Sequence, residues 1–189
     1  MASIGVSGGV SPASIDIGNF PDALRATGHL AESMPRHQAG INNSALATGR
    51  LQLMAIYLKS GITVTNLLWL SGDTAANTPT NWWFALYNSS LALLGQTADQ
   101  TTTAWAANTL KTVALATPYA VPTSGLYYAG VMVTATTCPS LVGIAHRGAD
   151  LTDEVPKICG TSTTGLTTTA PDPAAAITAA ANTLWCAVS

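Results

Sequence analysis

Residues 82–94 read Trp-Trp-Phe-Ala-Leu-Tyr-Asn-Ser-Ser-Leu-Ala-Leu-Leu, and this stretch decides the fold. Aromatic and aliphatic side chains fill 82–87, a polar turn of three residues follows, and an apolar run resumes at 91–94. Two apolar segments joined by a short polar turn are typical of a β-hairpin. The sequence therefore predicts a pair of antiparallel strands near the middle of the chain.

Short strands separated by turns continue on both sides of this hairpin. Residues 51–58 are apolar nearly throughout, as in a strand buried on both faces, and 62–66 alternate between apolar and polar side chains. About seven strands, with turn signals roughly every 8–12 residues, predict an all-β fold, an antiparallel β-sandwich with jelly-roll-like connections. The other predicted strands lie at 109–116, where Thr117-Pro118 ends the strand, and at 126–134, 141–145 and 183–188.

The first 48 residues differ in composition from the predicted core. Gly, Pro and Ser punctuate them with little periodicity, which predicts an extended N-terminal arm over 1–48 with one helical turn at 21–26. Residues 49–189 are then the β-sandwich domain, with a loop-rich C-terminal part. In that part, the alanine run at 174–181 after Pro173 predicts a short helix.

Composition limits the classes of function. Charged residues make up 8% of the chain and apolar residues 48%, whereas an average soluble domain has about 25% charged residues. So low a fraction of charged residues indicates a chain that buries much of its surface, in an assembly or in a packed β-structure. Seven Lys and Arg against nine Asp and Glu provide no basic field for phosphates, which argues against a nucleic-acid partner.

The chain also lacks the sequence signals of a membrane or secreted protein. No apolar run approaches the roughly 18 residues that a membrane helix needs. The residues after Met1 have neither the basic region nor the apolar core of a secretory signal. We therefore expect no membrane partner.

Candidate nucleophiles and acids do not form a catalytic pattern. Residues 5–9 match the letters of a G-x-S-x-G nucleophile elbow, but no strand can precede them and no helix follows. Ser140, His146 and Asp150 are close in sequence and are interpreted as a polar loop at a strand end. The sequence predicts no enzyme.

Metal ligands are also missing from the pattern. Residues 150–154 hold the only acidic cluster, Asp150, Asp153 and Glu154, and it lacks the spacing of a calcium loop. The three cysteines have no zinc-ligand spacing, so no metal and no cofactor are expected. We interpret the cysteines as buried thiols of a protein made in a reducing cytosol, and a bridge between Cys159 and Cys186 stays open.

The paired tryptophans need separate treatment because adjacent strand residues point to opposite faces. One of Trp82 and Trp83 is expected in the core. The other would face solvent, a partner subunit or a ligand such as a sugar ring. Trp83 and Trp105 are the candidates for a surface contact or a glycan-stacking site.

Several segments of the core carry a resemblance to a known family. They are 55–58 (Ala-Ile-Tyr-Leu), 78–87 (Thr-Pro-Thr-Asn-Trp-Trp-Phe-Ala-Leu-Tyr), 96–100 (Gln-Thr-Ala-Asp-Gln), 116–119 (Ala-Thr-Pro-Tyr) and 125–130 (Gly-Leu-Tyr-Tyr-Ala-Gly). This core resembles a β-sandwich domain of virion proteins from tailed phages that infect actinobacteria. Such domains occur in minor tail proteins, and similar ones occur in capsid decoration proteins. The resemblance covers about half of the chain and brings no catalytic residues.

The resemblance implies a structural virion protein, made in the cytoplasm of the host bacterium. The leading hypothesis is a capsid decoration protein whose arm binds the major capsid protein or other virion proteins, and which forms a homo-oligomer, with a trimer expected. One alternative is a minor tail or fibre protein that binds a host surface glycan, and another is an enzyme acting on cell-wall glycans. The arm residues expected to contact the partner are Ile4, Phe20, Arg25, Met34, Arg36 and His37.

Overall fold

A computed structural model describes residues 28–145 and 154–189. Within these residues the protein is all-β, with thirteen strands and, as the only helical element, a 3₁₀ turn at Arg36–Gln38. The strands are β1 (Ala31–Glu32), β2 (Ile41–Ala45), β3 (Gln52–Leu58), β4 (Thr63–Leu70), β5 (Asn81–Asn88), β6 (Leu93–Gln96), β7 (Leu110–Ala120), β8 (Gly125–Thr134), β9 (Ser140–Ala145), β10 (Cys159–Thr161), β11 (Thr178–Ala179), β12 (Asn182–Leu184) and β13 (Cys186–Val188).

The strands form three antiparallel sheets. A six-stranded sheet has the order β11-β10-β3-β8-β5-β6, a four-stranded sheet has the order β1-β13-β4-β7, and a three-stranded sheet has the order β12-β9-β2. A bridge between Ser71 and Leu141 joins the four-stranded and three-stranded sheets. One apolar core contains side chains from all three sheets, so the predicted β-sandwich is confirmed. The jelly-roll connectivity stays a prediction.

The central hairpin forms as the sequence predicts. β5 pairs with β6 on one side and with β8 along its whole length on the other. In the turn, Asn88 Oδ1 accepts the backbone N–H groups of Ser90 and Ala92, each at 2.9 Å. The predicted pairing follows from local sequence because the turn residues and both apolar runs are neighbours in the chain.

The centre of the core is a cluster of aromatic rings. Trp82 packs against Trp105 at 5.2 Å between ring centroids and against Phe84 at 5.6 Å, and Trp69 packs against Phe84 at 6.4 Å. Trp105 has no exposed surface, and its indole N–H donates to the carbonyl oxygen of Thr109 at 3.1 Å. The prediction that Trp105 is a surface or glycan contact is therefore wrong, because its loop folds inward over the end of β5.

The outer face of the six-stranded sheet is also apolar, and a chain segment covers it. Leu53, Trp83 and Tyr87 form a second buried cluster with Ala170 and Ala174 of the segment 162–177, which we call the covering segment. The indole N–H of Trp83 donates to the carbonyl oxygen of Thr167 at 2.8 Å, and Trp83 has no exposed surface. Trp83 points away from Trp82 as expected, but the prediction that it is a surface contact is wrong because the covering segment encloses it.

The short helix predicted at 174–181 is absent. The backbone N–H of Ala174 donates to the carbonyl oxygen of Leu91, and that of Ala175 donates to the hydroxyl of Thr163. The backbone N–H of Ala180, which a helix over 174–181 would bond to the carbonyl of residue 176, donates instead to the carbonyl oxygen of Cys159 at 3.0 Å. The run continues into β11 instead.

Thr117-Pro118 does not end the strand predicted at 109–116, because β7 continues to Ala120. Proline lacks a backbone N–H and is tolerated at sheet edges and bulges. β7 is the edge strand of its sheet, and its pairing with β4 shifts register between Val64 and Asn66. The proline therefore lies where the hydrogen-bond ladder is already interrupted.

The described part of the predicted arm belongs to the sandwich. β1 pairs with β13, and β2 pairs with β9. Residues 28–48 are therefore fastened to the domain at two places, which corrects the boundary predicted at residue 48. Residues 1–27, including the helical turn predicted at 21–26, lie outside the described residues.

Replacing Gln96 with alanine should loosen the covering segment. The Gln96 side chain donates to the carbonyl oxygen of Thr168 at 2.8 Å and accepts the backbone N–H of Ala170 at 2.7 Å. Losing both hydrogen bonds should lower the free energy of unfolding by about 1–3 kcal/mol. Limited proteolysis should then cut the covering segment faster. As a matched control, Gln100→Ala removes one exposed bond to Ala98 and should leave the cleavage rate unchanged; equal rates for the two variants would contradict the expectation.

Candidate binding groove

A groove lies on the outer face of the four-stranded sheet, beside the described part of the predicted arm. Its volume is about 500 Å³, within the range of ligand and peptide sites. We call it the Trp185 groove. It is lined by His29, Arg36, Ala39, Leu68, Leu70, Leu110, Thr112, Trp185 and Ser189.

Strand alternation explains why the floor of the groove is apolar. In β4, Leu67 and Trp69 point into the core between the sheets, so Leu68 and Leu70 point outward. Leu70 is directly opposite Leu110 of β7. The second half of β4, residues 67–70, is thus apolar on both faces, which is typical of a strand covered on both sides.

This face is buried unevenly: Leu68 and Trp185 are each 3% exposed, whereas its margin is more open. Met34 and Ala39 pack on Leu68 and Trp185. At the other side of the groove, Leu110 is 44% exposed. An apolar surface with polar residues around it is typical of a site for contact with another chain segment.

Charged groups form one rim of the groove. Glu32 Oε1 accepts hydrogen bonds from His29 Nδ1 at 2.9 Å and from Arg36 Nε at 3.1 Å. The His29 ring lies 5.8 Å from the Trp185 ring, centroid to centroid. Among the described residues, the buried indole N–H of Trp185 has no hydrogen-bond partner.

The predicted partner-binding residues have different positions. Met34 is 5% exposed and belongs to the groove floor cluster, so the prediction that it contacts a partner is wrong: its thioether side chain packs within the domain. Arg36 and His37 are exposed beside the groove, as a contact role requires. Ile4, Phe20 and Arg25 lie outside the described residues.

Apart from Arg36, the residues that line the groove were missed by sequence reasoning. The available signal was the run 67–70, Leu-Leu-Trp-Leu, because four consecutive apolar residues in a strand require cover on both faces. No local signal connects this run to Leu110 or Trp185. Only the sheet pairing brings them together.

Among the described residues, one of the candidate nucleophiles of the sequence is buried and hydrogen-bonded within the domain. Ser140 is 2% exposed, and its hydroxyl accepts the backbone N–H of Thr74 at 3.0 Å and lies 3.2 Å from Asp73 Oδ1. No group of three or more His, Cys, Asp or Glu side chains that could hold a metal ion occurs in this part of the chain. Ser7, His146, Asp150 and Asp153 lie outside it.

The three cysteines are buried free thiols. Burial raises the pKa of Cys159 from its ordinary value of 9.0 to about 11 and that of Cys186 to about 12. A raised pKa keeps the thiol protonated and unreactive. The predicted thiol state is confirmed, and no disulfide ties Cys159 to Cys186 in this structure.

The raised thiol pKa values predict a loss of stability in alkali. Above pH 9.0 the unfolded chain releases thiol protons that the folded chain keeps up to about pH 11 at Cys159. The free energy of unfolding should therefore fall as the pH rises from 9 to 11. Urea denaturation across this window checks the expectation. The double variant Cys159→Ala/Cys186→Ala should show a shallower fall, and an unchanged slope would contradict the assignment.

Comparison with known proteins found no relative of this chain. No family model, no curated protein and no solved structure matches the chain. Within residues 28–145 and 154–189, no helix has the length and apolar character to cross a membrane.

Proposed function

We propose that this chain is a structural virion protein that decorates a phage capsid, with its N-terminal segment contacting the major capsid protein. The observation that carries this proposal is the anchorage of the arm's base. β1 and β2 hold residues 28–48 on the sandwich, so the preceding segment leaves from a defined place. Arg36 and His37 are exposed beside that place.

The composition supports a role in assembly. With 8% charged residues, the surface of the free protein contributes little to its solubility. Burying that surface against neighbouring subunits removes it from water. A homo-oligomer, with a trimer as the expected state, would serve the same end. The molar mass of the purified protein in solution tests that state.

The competing role of a glycan-binding tail or fibre protein is weaker. That hypothesis relied on exposed Trp or Tyr side chains, with Trp83 and Trp105 as the named candidates, and neither tryptophan has any exposed surface. Sugar rings need an accessible aromatic face to stack on.

Copy number in purified particles tests the proposed function directly. Quantitative mass spectrometry with cryo-electron microscopy should find hundreds of copies on the shell, and a handful of copies at the tail would overturn the proposal.

The variant Phe20→Asp should lower shell occupancy because it places a charge in the proposed contact. Asn19→Asp adds the same charge at the neighbouring position and should have a smaller effect.

A further inference from the structure

We propose that β2 is a docking strand, which pairs edge to edge with β2 of a second copy of this chain. The two strands run antiparallel around a two-fold axis and join two three-stranded sheets into one. The inference concerns the isolated protein and does not rest on the proposed virion role. A two-fold contact at β2 is separate from the three-fold contact that the expected trimer needs.

The free edge of β2 lacks the features that protect the other strand edges of the described chain. β1, β11 and β12 have only two or three residues, and β6 meets β7 through a bridge between Thr97 and Leu115. β7 carries Lys111 and Pro118. Short length, lysine and proline are common devices against edge-to-edge pairing. β2 has five residues, four of them exposed, and residues 38–49 contain no charged residue and no proline.

The backbone groups of Asn42 point to this free edge. Asn42 is opposite Val142 of β9, and the carbonyl of Val142 accepts the N–H of Trp185 on the side of β9 away from β2. Opposite residues of an antiparallel pair either exchange both hydrogen bonds or point both groups away from each other. The N–H and C=O of Asn42 therefore point away from β9, toward the open side of the sheet.

The same holds for Ala45, on the other side of the register shift in β2. Ala45 is opposite Ser140 of β9. The N–H of Ser140 donates to the carbonyl oxygen of Thr74 at 3.2 Å, and its carbonyl accepts the N–H of Gly72 at 2.8 Å. Both backbone groups of Ser140 are thus used on its other side, so those of Ala45 also point to the free edge.

A second copy of β2 matches both positions at once. In an antiparallel contact whose two-fold axis passes between residues 43 and 44, Asn42 of each copy faces Ala45 of the other. Each such pair can exchange two backbone hydrogen bonds. The contact is isologous, since the same surface serves both molecules, and this is the commonest kind of contact between identical chains.

The side chains are complementary in the same register. Ile41, which is 42% exposed in the single chain, faces Leu46, so apolar side chains meet. Asn43 faces Ser44, so polar side chains meet near the axis. Opposite side chains of like character stabilise antiparallel pairs. Because residues 38–49 hold no charge, no like charges oppose each other across the axis.

Sedimentation equilibrium of the full-length protein tests the proposal. The unmodified protein should contain an even number of copies, two if no other surface associates. Ser44→Lys places a lysine of each copy beside the axis, so repulsion should raise the dissociation constant on the order of tenfold and halve the mass on dilution. Ser90→Lys adds the same charge in the exposed β5–β6 turn and should leave the mass unchanged. A monomer, a trimer, or a mass that Ser44→Lys leaves unchanged would overturn the proposal.

Cross-linking locates the contact. In Ser44→Cys, a short bis-maleimide should link two molecules on the order of tenfold faster than in the control Ser90→Cys, because pairing raises the effective concentration of the two thiols. The native cysteines are at most 4% exposed and should not react in the folded protein. Equal rates in the two variants would assign any self-association to another surface and overturn the proposal.

Discussion

Replacing Trp82 with alanine should lower the free energy of unfolding by about 3–5 kcal/mol, the range for a large aromatic side chain removed from a core. Trp82 is 1% exposed and packs against the rings of Trp105 and Phe84. Its indole N–H donates to the carbonyl oxygen of Thr103 at 2.8 Å, and the Lys111 ammonium lies 5.5 Å from its ring centroid. The substitution leaves a cavity and an unpaired carbonyl in one step. Urea denaturation followed by tryptophan fluorescence and circular dichroism measures the loss.

The matched control for this variant is Tyr57→Ala. Tyr57 is also an aromatic residue on a central strand of the six-stranded sheet, but it is 47% exposed. Its loss should cost no more than about 1 kcal/mol, because little apolar surface leaves a packed environment. Equal denaturation midpoints for the two variants would show that the ring cluster does not stabilise the fold.

Replacing Gly143 with alanine should have the second largest effect. Gly143 lies in β9 between β2 and β12, and a Cβ at this position would collide with the backbone carbonyl oxygen of Thr183 and lie 3.0 Å from the Leu184 Cα. Backbone atoms cannot rotate away, so β12 would have to shift. We expect a loss of about 3 kcal/mol in the free energy of unfolding, the upper part of the range for overpacking. Thermal denaturation measures it.

Gly125→Ala is the control for Gly143→Ala. A Cβ at Gly125 would meet no other heavy atom within 4 Å, and its φ is not in the left-handed region. The same chemical change should therefore alter the melting temperature very little. A similar fall in both variants would mean that the cost comes from glycine replacement in strands and not from the close approach of β12.

The hairpin and the strands at 51–58 and 126–134 were predictable because their signals are local. Turn residues and apolar runs lie next to each other in the chain, and alternation depends only on neighbouring residues. The adjacent Trp82 and Trp83 were correctly expected on opposite faces for the same reason. The all-β class and the sandwich follow from the number and spacing of such segments.

The covering segment could not be predicted from local signals. Residues 174–181 are rich in alanine, a strong helix former, yet their backbone donors bond to Leu91 and Thr163. Trp83 is buried only because this segment, more than 80 positions later in the sequence, lies over it. The prediction that the strand ends at Pro118 was wrong for a similar reason. A proline is tolerated in β7 because β7 is an edge strand, which only the sheet topology shows.

Local sequence was enough to predict the central strands, the β5–β6 turn and the low fraction of charged residues, because these are properties of neighbouring residues and of composition. The tertiary structure alone decided which apolar faces are covered. It enclosed Trp83, Trp105 and Met34, and it joined Leu68 with Leu110 and Trp185 in one groove. The physical reason is that burial depends on strand pairing and on segments distant in sequence, and no local pattern of side chains records which segment lies over which face.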